Sequence, residues 1–333
     1  MIVVTSPSTH AAPGIGGGAA VLAFDVGGTD IKAAIFDGDG VAHGLRRTAT
    51  PRAGADTPMA LAQRLASLSA ELRAAAPAVI PVAAGVLVPG IVDAERGIAV
   101  TSANLGWRNA PIKKLMGSTL GIPVGFDHDV HAAGLAEHRL GAARGYDDVV
   151  VLVIGTGISG SLVLGGRVHR AGGFAGEIGH SPVADGPACS CGASGCLEAV
   201  ASGGAIVRSY VQLSGDAGVL GASDVLDRVR LGDPHAVQVW ETALDALALS
   251  LTQLTAFLAP RAIVIGGGLS RAGADLFGPL RSRVDARLSF HHRPAIVPAQ
   301  LQGNAGLLGA GLIARDSLPA HARAHLAPPW SHG

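Results

Sequence analysis

Apolar positions in this chain come in short bursts, and most bursts end at glycine. Residues 21–25 (VLAFD) are apolar up to an acid and lead into Gly27-Gly28-Thr29. A second strand-like run, 31–36, follows at once, and Gly38-Asp39-Gly40 turns the chain into a third strand from Val41. The same order returns later. Residues 148–154 are apolar and β-branched, Gly155-Thr156-Gly157 is the loop, 161–164 is the next strand, and Gly165-Gly166 turns into 167–170. Between these blocks the period changes. Residues 57–75 are rich in Ala and Leu, and Trp240, Leu244, Leu247, Leu251, Leu254 and Leu258 recur at spacings of four and three, as one apolar face of a long helix does. Pro260 ends that helix, and 262–265 form a buried strand running into Gly266, Gly267 and Gly268. Strands alternating with helices predict an α/β protein, and the duplicated strand–loop–strand–turn–strand block predicts two related lobes facing a shared cleft. At 333 residues the chain also exceeds what one hydrophobic core usually supports.

Composition narrows the function classes. Lys+Arg and Asp+Glu both number 25, so the balance offers no basic footing for nucleic acid or an anionic membrane. No apolar run approaches the ~18 residues of a spanning helix. Residues 1–20 have neither a basic start nor an apolar core of signal-peptide type, and their Pro, Ser and Gly content predicts a disordered leader. The three cysteines all lie between 189 and 196, which argues against a disulfide framework and for a cytoplasmic protein. Residues 155–160 (GTGISG) fit the dinucleotide pattern G-x-G-x-x-G, but a strand and turn follow where that fingerprint needs a helix.

Several groups carry chemistry. Backbone N–H groups of Gly27, Gly28 and Thr29 suit phosphate oxygens, Lys32 adds a point charge, and Asp25 suits a hydrated Mg²⁺ between phosphates; the bland alternative is an ordinary Gly-rich hairpin. Gly155, Thr156 and Gly157 form a second such loop and Gly266, Gly267 and Gly268 a third. His180, Cys189, Cys191 and Cys196 make a closed N/S set for a structural, tetrahedral zinc; a redox pair or free buried thiols are the bland alternatives. Glu177 and Glu198 flank that set and suit capture of neighbouring sugar hydroxyls, or else they are solvated surface acids. Asp129 follows a strand at 124–126 and opens a helix. It is a candidate general base, or else an ordinary cap or first-turn residue of that helix.

Together, DVGGTDIKAAIFD, VPGIVD, SANLGW, HDVHAAGLAE, GTGISG, GGFAGEIGH, CSCGASGCLE and IVIGGGLS resemble, in order from about residue 21 to 312, the ROK family (repressors, open reading frames and sugar kinases). The likeness is closest to its bacterial glucokinase-like members. GEIGH followed by C-x-C-G-x-x-G-C-x-E is the specific part. The resemblance implies an actin-like (ribonuclease H-like) fold of two lobes around a central cleft: a first lobe over 21–125 joined by a C-terminal helix near 303–318, a second lobe over 126–302 with the zinc loop at 180–196, and a flexible tail over 319–333. It implies that Asp25 to Thr29 and Gly155 to Gly157 hold the phosphates of ATP and that Gly266 to Gly268 face the adenosine. Asn104, His128, Asp129, Glu177, His180 and Glu198 would contact the sugar, with Asp129 as the general base. The implied reaction is phosphorylation of a hexose, glucose first, at the 6-hydroxyl, by a homodimer or homotetramer using ATP, Mg²⁺ and a structural zinc. One departure stands out. The family commonly has Asn-Asp-Ala-Asn around the base, and this chain has His128-Asp129-Val130-His131. His128 replaces an amide that usually reaches a sugar hydroxyl, and His131 reads as an ordinary helix residue. Two other classes compete with this one: a sugar-responsive repressor, which would need an N-terminal helix-turn-helix that 1–20 are too short and glycine-rich to form, and a silent sugar-binding protein, against which the retained Asp25, Asp129 and glycine loops speak.

Overall fold

The computed structural model describes residues 14–102 and 104–319. Its first lobe is a sheet of five strands. β1 (Val21–Val26), β2 (Asp30–Phe36) and β3 (Ala42–Ala49) form an antiparallel meander, and α1 (Thr57–Ala75) then leads to β4 (Ala83–Val88). A small antiparallel sheet follows, of β5 (Ile91–Asp93), β6 (Ile98–Ser102) and β7 (Trp107–Ala110). After α2 (Ile112–Leu120), β8 (Val124–His128) closes the main sheet in the order β3-β2-β1-β4-β8, with β4 and β8 parallel to β1. α3 (Asp129–Leu140) crosses to the second lobe.

There the pattern repeats. β9 (Val149–Ile154), β10 (Ile158–Leu164) and β11 (Arg167–His169) form the meander. The helices α4 (Leu197–Ala201), α5 (Gly203–Ser214), α6 (Ala222–Arg230) and α7 (Pro234–Leu258) intervene before β12 (Ala262–Gly266); α8 (Ala274–Arg287) and β13 (Ala295–Pro298) follow, giving the order β11-β10-β9-β12-β13. The two sheets therefore share one connectivity, with two antiparallel and two parallel pairings each. α9 (Ala305–Asp316) returns to the first lobe.

Alternation along the central strands explains why both faces of each sheet are covered. In β1, Leu22, Phe24 and Val26 pack with Leu61, Leu65, Leu68 and Leu72 of α1, while Val21 and Ala23 pack with Leu308, Ala310 and Ala314 of α9. In β9, Val150, Leu152 and Ile154 meet Trp240, Leu244, Leu247 and Leu251 of α7, and Val149 and Val151 face the other way. α9 lies unusually close to its sheet because Gly85 has no side chain: a Cβ there would sit 1.9 Å from the Ala310 carbonyl oxygen.

Two expectations about boundaries are corrected. The predicted leader 1–20 falls outside the described residues only as far as 13; residues 14–20 are held in place. Ile15 and Gly18 donate backbone bonds to Gly40 and Gly38, and the buried Arg315 of α9 donates to the carbonyls of Ile15, Gly16, Gly17 and Ala19. Second, a lobe boundary at 125/126 would cut β8. That strand continues to His128 in register with β4, pairing Leu87 with Asp127 and Val88 with His128, so the first sheet ends one residue before Asp129. The tail expected over 319–333 lies, beyond Pro319, outside the described residues.

Candidate active site

Three glycine loops converge where the strands of both sheets end. In the β1–β2 turn the Gly27 N–H donates to the Asp30 carbonyl at 2.8 Å. Gly27 therefore shapes the turn and is not a free donor, which corrects the expectation that all three amides are available. Gly28 and Thr29 keep amides with no acceptor among the described residues. The β9–β10 turn behaves the same way: Gly155 N–H bonds the Gly157 carbonyl at 2.9 Å, leaving Thr156 and Gly157. The third loop is fixed by Gly267, at φ +82°, where a Cβ would lie 2.3 Å from the Ile154 carbonyl oxygen.

Two cavities meet at the third of these loops; the larger takes in the second, and the smaller reaches Asp25 and Lys32 on either side of the first. The larger, about 610 Å³, is lined by Gly155, Thr156, Gly204, Leu220, Trp240 and Gly268 among others. The smaller, about 350 Å³, holds Asp25, Lys32, Asp129, Gly266, Gly267, Gly268 and the turn at Gln302 and Gly303. Gly268 and Arg271 line both, so one elongated ligand can occupy the two. The larger cavity was not foreseen at α5 and α6: Gly203 and Gly204 are bare because the Gly155 and Thr156 carbonyl oxygens would each lie 2.9 Å from a Cβ, a proximity of residues about fifty apart.

Asp25 lies 3.7 Å from Lys32 Nζ, which also donates to the Gly303 carbonyl at 3.1 Å. Burial, with Asp129 nearby, pushes the Asp25 carboxyl up to about 6 despite Lys32. Asp129 is the first residue of α3. His128 occupies the N-cap position without a side-chain cap bond, and one Asp129 oxygen takes the adjacent Val130 N–H at 2.8 Å. Asp129 is thus not the cap but a first-turn residue of α3. Its carboxyl opens into the smaller cavity, and burial pushes it too up to about 6. His128 Nε2 lies 3.1 Å from Asp129 Oδ1, and burial drives the His128 imidazole down to about 4. His131, expected to be bland, is buried: its Nε2–H donates to the Ala175 carbonyl at 3.0 Å.

Of the expected sugar contacts, only Asp129 lines either of these two cavities. Asn104 packs on Gly28; Glu177 lies 3.8 Å from His180 Nε2. Glu198 accepts the Ile158 N–H at 2.9 Å and the more distant Ser190 hydroxyl at 3.4 Å, so it ties the second glycine loop to the cysteine loop and is no solvated surface acid.

His180, Cys189, Cys191 and Cys196 bring one ligand atom each within 4.8 Å of one another. His180 Nδ1 faces Cys189 Sγ at 3.5 Å, and Cys191 and Cys196 sulfurs are 3.7 Å apart. Burial, with Cys191 and Cys189 beside it, pushes the Cys196 thiol up to about 12. Three crowded sulfurs cannot all be anionic unless a cation compensates them, so the donor set fits a soft-ligand metal and is compatible with structural zinc. Gly195, at φ +69° and with a would-be Cβ 1.8 Å from the Ala184 carbonyl oxygen, makes the turn that closes this set.

Comparison with known proteins gives a consistent picture. The model of the ROK family matches residues 21–317. The glucokinase of Thermotoga maritima is 37% identical over 251 residues, covering 70% of this chain and 79% of that protein. The crystal structure of a ROK family glucokinase from Streptomyces griseus, in complex with glucose and AMPPNP, superposes with a TM-score of 0.73 at 30% identity, covering 89% of this chain and 99% of that one. A ROK family transcriptional regulator, a homologue of the E. coli MLC protein, superposes with a TM-score of 0.80 at 25% identity, covering 90% and 78%.

Proposed function

The chain belongs to the ROK family, and from that premise we propose that it transfers the γ-phosphoryl group of ATP to the 6-hydroxyl of a hexose, glucose first among them. The observation that carries this reading is the placement of Asp129. Its carboxyl opens into the same 350 Å³ cavity as Asp25, Lys32 and the third glycine loop. A phosphate chain reaching Asp25 from the larger cavity would present its terminal group beside Asp129.

Phosphoryl transfer asks a protein mainly for positioning and charge stabilisation. The free amides of Gly28, Thr29, Thr156 and Gly157 donate to phosphate oxygens from both lobes, and Lys32 adds charge. Asp25 is the carboxylate placed to hold a hydrated Mg²⁺, which supplies charge neutralisation at the phosphates when bound. One Asp129 oxygen is engaged by Val130, and the other accepts the proton of the attacking hydroxyl. A carboxyl near pH 6 is ionised at neutral pH yet more basic than an ordinary one, which suits a general base. Asn104, Glu177, His128, His180 and Glu198 orient the sugar. His180 Nδ1 and the three cysteines would hold a zinc that would fix the loop, with His180 Nε2 left beside Glu177. Cysteines outside any disulfide, as these are, suit a reducing, cytoplasmic setting.

Coupled ADP release measured across glucose, mannose, N-acetylglucosamine, N-acetylmannosamine, allose and fructose tests the proposal. Glucose should have the highest kcat/KM; no sugar-dependent ADP release with any of them would overturn it. The likeness to a transcriptional regulator supports a second reading, a sugar-responsive regulator of the same fold.

A further inference from the structure

One buried carboxylate has no part in this chemistry. Asp127 is 1% exposed, in the strand that ends beside the proposed base. Its Oδ2 receives both Nε and Nη2 of Arg170, at 2.8 and 2.5 Å, and its Oδ1 receives the His128 backbone N–H and lies 3.4 Å from His131 Nδ1. Burial alone would raise this carboxyl, but His131 and Arg170 outweigh it and hold Asp127 below the usual carboxylate range. Asp127 belongs to the first sheet, whereas Arg170 directly follows β11 of the second, so the pair joins the two lobes.

Arg170 also opens the segment that ends at Glu177. Within it Ala171, Gly172, Gly173 and Gly176 all take positive φ, a path the chain does not hold by its own preferences. It is held from outside at four points: Arg170 on Asp127, Gly173 against the Val92 carbonyl of β5, the Ala175 carbonyl on His131 Nε2, and the Gly176 carbonyl on the Gly160 N–H of β10. His131 lies two residues after Asp129 on α3 and touches both Asp127 and the residue two before Glu177.

We propose that Asp127, Arg170 and His131 form a latch between the lobes, positioning residues that hold the 170–177 loop, and with it Glu177, against the strand–helix junction that carries Asp129. This rests on Glu177 and Asp129 facing the sugar. A loosened latch would misplace Glu177 and leave the nucleotide cavities, which none of the three residues lines, as they are.

The test is the split between the two substrates in Arg170→Gln. The sugar KM should rise about tenfold or more, and the ATP KM should stay within about twofold. Arg170→Lys, which keeps the charge without the fork, should recover part of the loss. Because Arg170→Gln leaves a buried anion short of its partner, the neutral pair Asp127→Asn/Arg170→Gln provides a folded variant of the same broken latch. Hydrogen exchange measured on the same proteins should accelerate in 170–177 and not in α7. A folded variant that melts lower but keeps its sugar KM, or that exchanges normally in 170–177, overturns the latch. If the wild-type protein itself releases no ADP with any sugar, the kinase reading fails instead, and the exchange experiment then decides the latch alone.

Discussion

Asp129 combines two properties that pull against each other. Its folded-state value near 6 lies above the ordinary 3.8, so the native chain binds this proton more tightly than the unfolded chain does. Stability from this group is therefore present at low pH and is lost as pH rises through about 4 to 6, leaving an ionised, poorly solvated carboxylate at neutral pH. Asp129→Asn removes that charge. We expect the variant to melt no lower than the wild type at pH 7.5, with any advantage vanishing at pH 4, and to lose at least about two orders of magnitude in kcat. Near-normal turnover by the folded variant would remove Asp129 as the base. The wild-type rate should fall on the acid side with an apparent midpoint near 6, a limb that Asp25, also pushed up to about 6, shares with Asp129. His128 does not complicate that limb, since burial keeps its imidazole neutral down to about 4.

Among the elements, the cysteine loop has the least regular structure to support it. Its parts are joined by short backbone bonds, such as Cys189 N–H to Ala193, Gly195 N–H to Pro187 and Val183 N–H to Gly195, with isolated bridges in place of a sheet. Metal-binding free energy is folding free energy in such a loop. Purified protein should contain about one zinc per chain by elemental analysis, and Cys191→Ser should lower both metal content and sugar affinity. Zinc-free wild-type protein, prepared without chelator, would refute the assignment. Through Ser190 and Glu198 the loop is tied to the Ile158 amide, so a change there should reach the second glycine loop as well. The helices behaved as their periodicity predicts, including α1 at Thr57–Ala75 and the Leu face of α7 ending before Pro260. β8 did not. Its last residues, Asp127 and His128, look like a polar turn, yet they are buried strand because Arg170 and α3 cover them.

At the scale of the molecule, two copies of one strand connectivity face each other, with α3 and α9 packed together between them. Duplicated lobes, of which the first contributes one glycine loop and the second two, are suited to closing on a phosphate chain. Among the described residues no helix is long and apolar enough to cross a membrane. The equal numbers of basic and acidic residues give no net positive charge to favour contacts with DNA phosphates. We therefore expect a gel-shift assay to show no salt-resistant, sequence-selective complex; finding one would favour the regulator reading over the kinase.

Residue order alone carried the α/β class, the duplication, the three glycine loops and the His180–Cys189–Cys191–Cys196 set. Each of these rests on short-range rules: strand and helix periods, turn chemistry, and ligand types a few residues apart. It also marked Asp25, an acid at the end of an apolar strand, and Asp129, an acid at a helix start whose position alone says little and which the family resemblance singled out. It missed the docking of residues 14–20 under Arg315, the full length of β8, the nucleotide-sized cavity at Gly203 and Gly204, the capture of the Gly27 amide by Asp30, and the Asp127–Arg170–His131 cluster. Each depends on a partner set by how chain segments pack or how a turn actually closes. Arg170 is one arginine among many until β11 delivers it 43 residues along the chain to Asp127, and His131 is an ordinary helix residue until the Ala175 carbonyl meets it. A buried charge is tolerated only where its counter-charge arrives, and which charge arrives is decided by packing of the two lobes, not by neighbours in sequence.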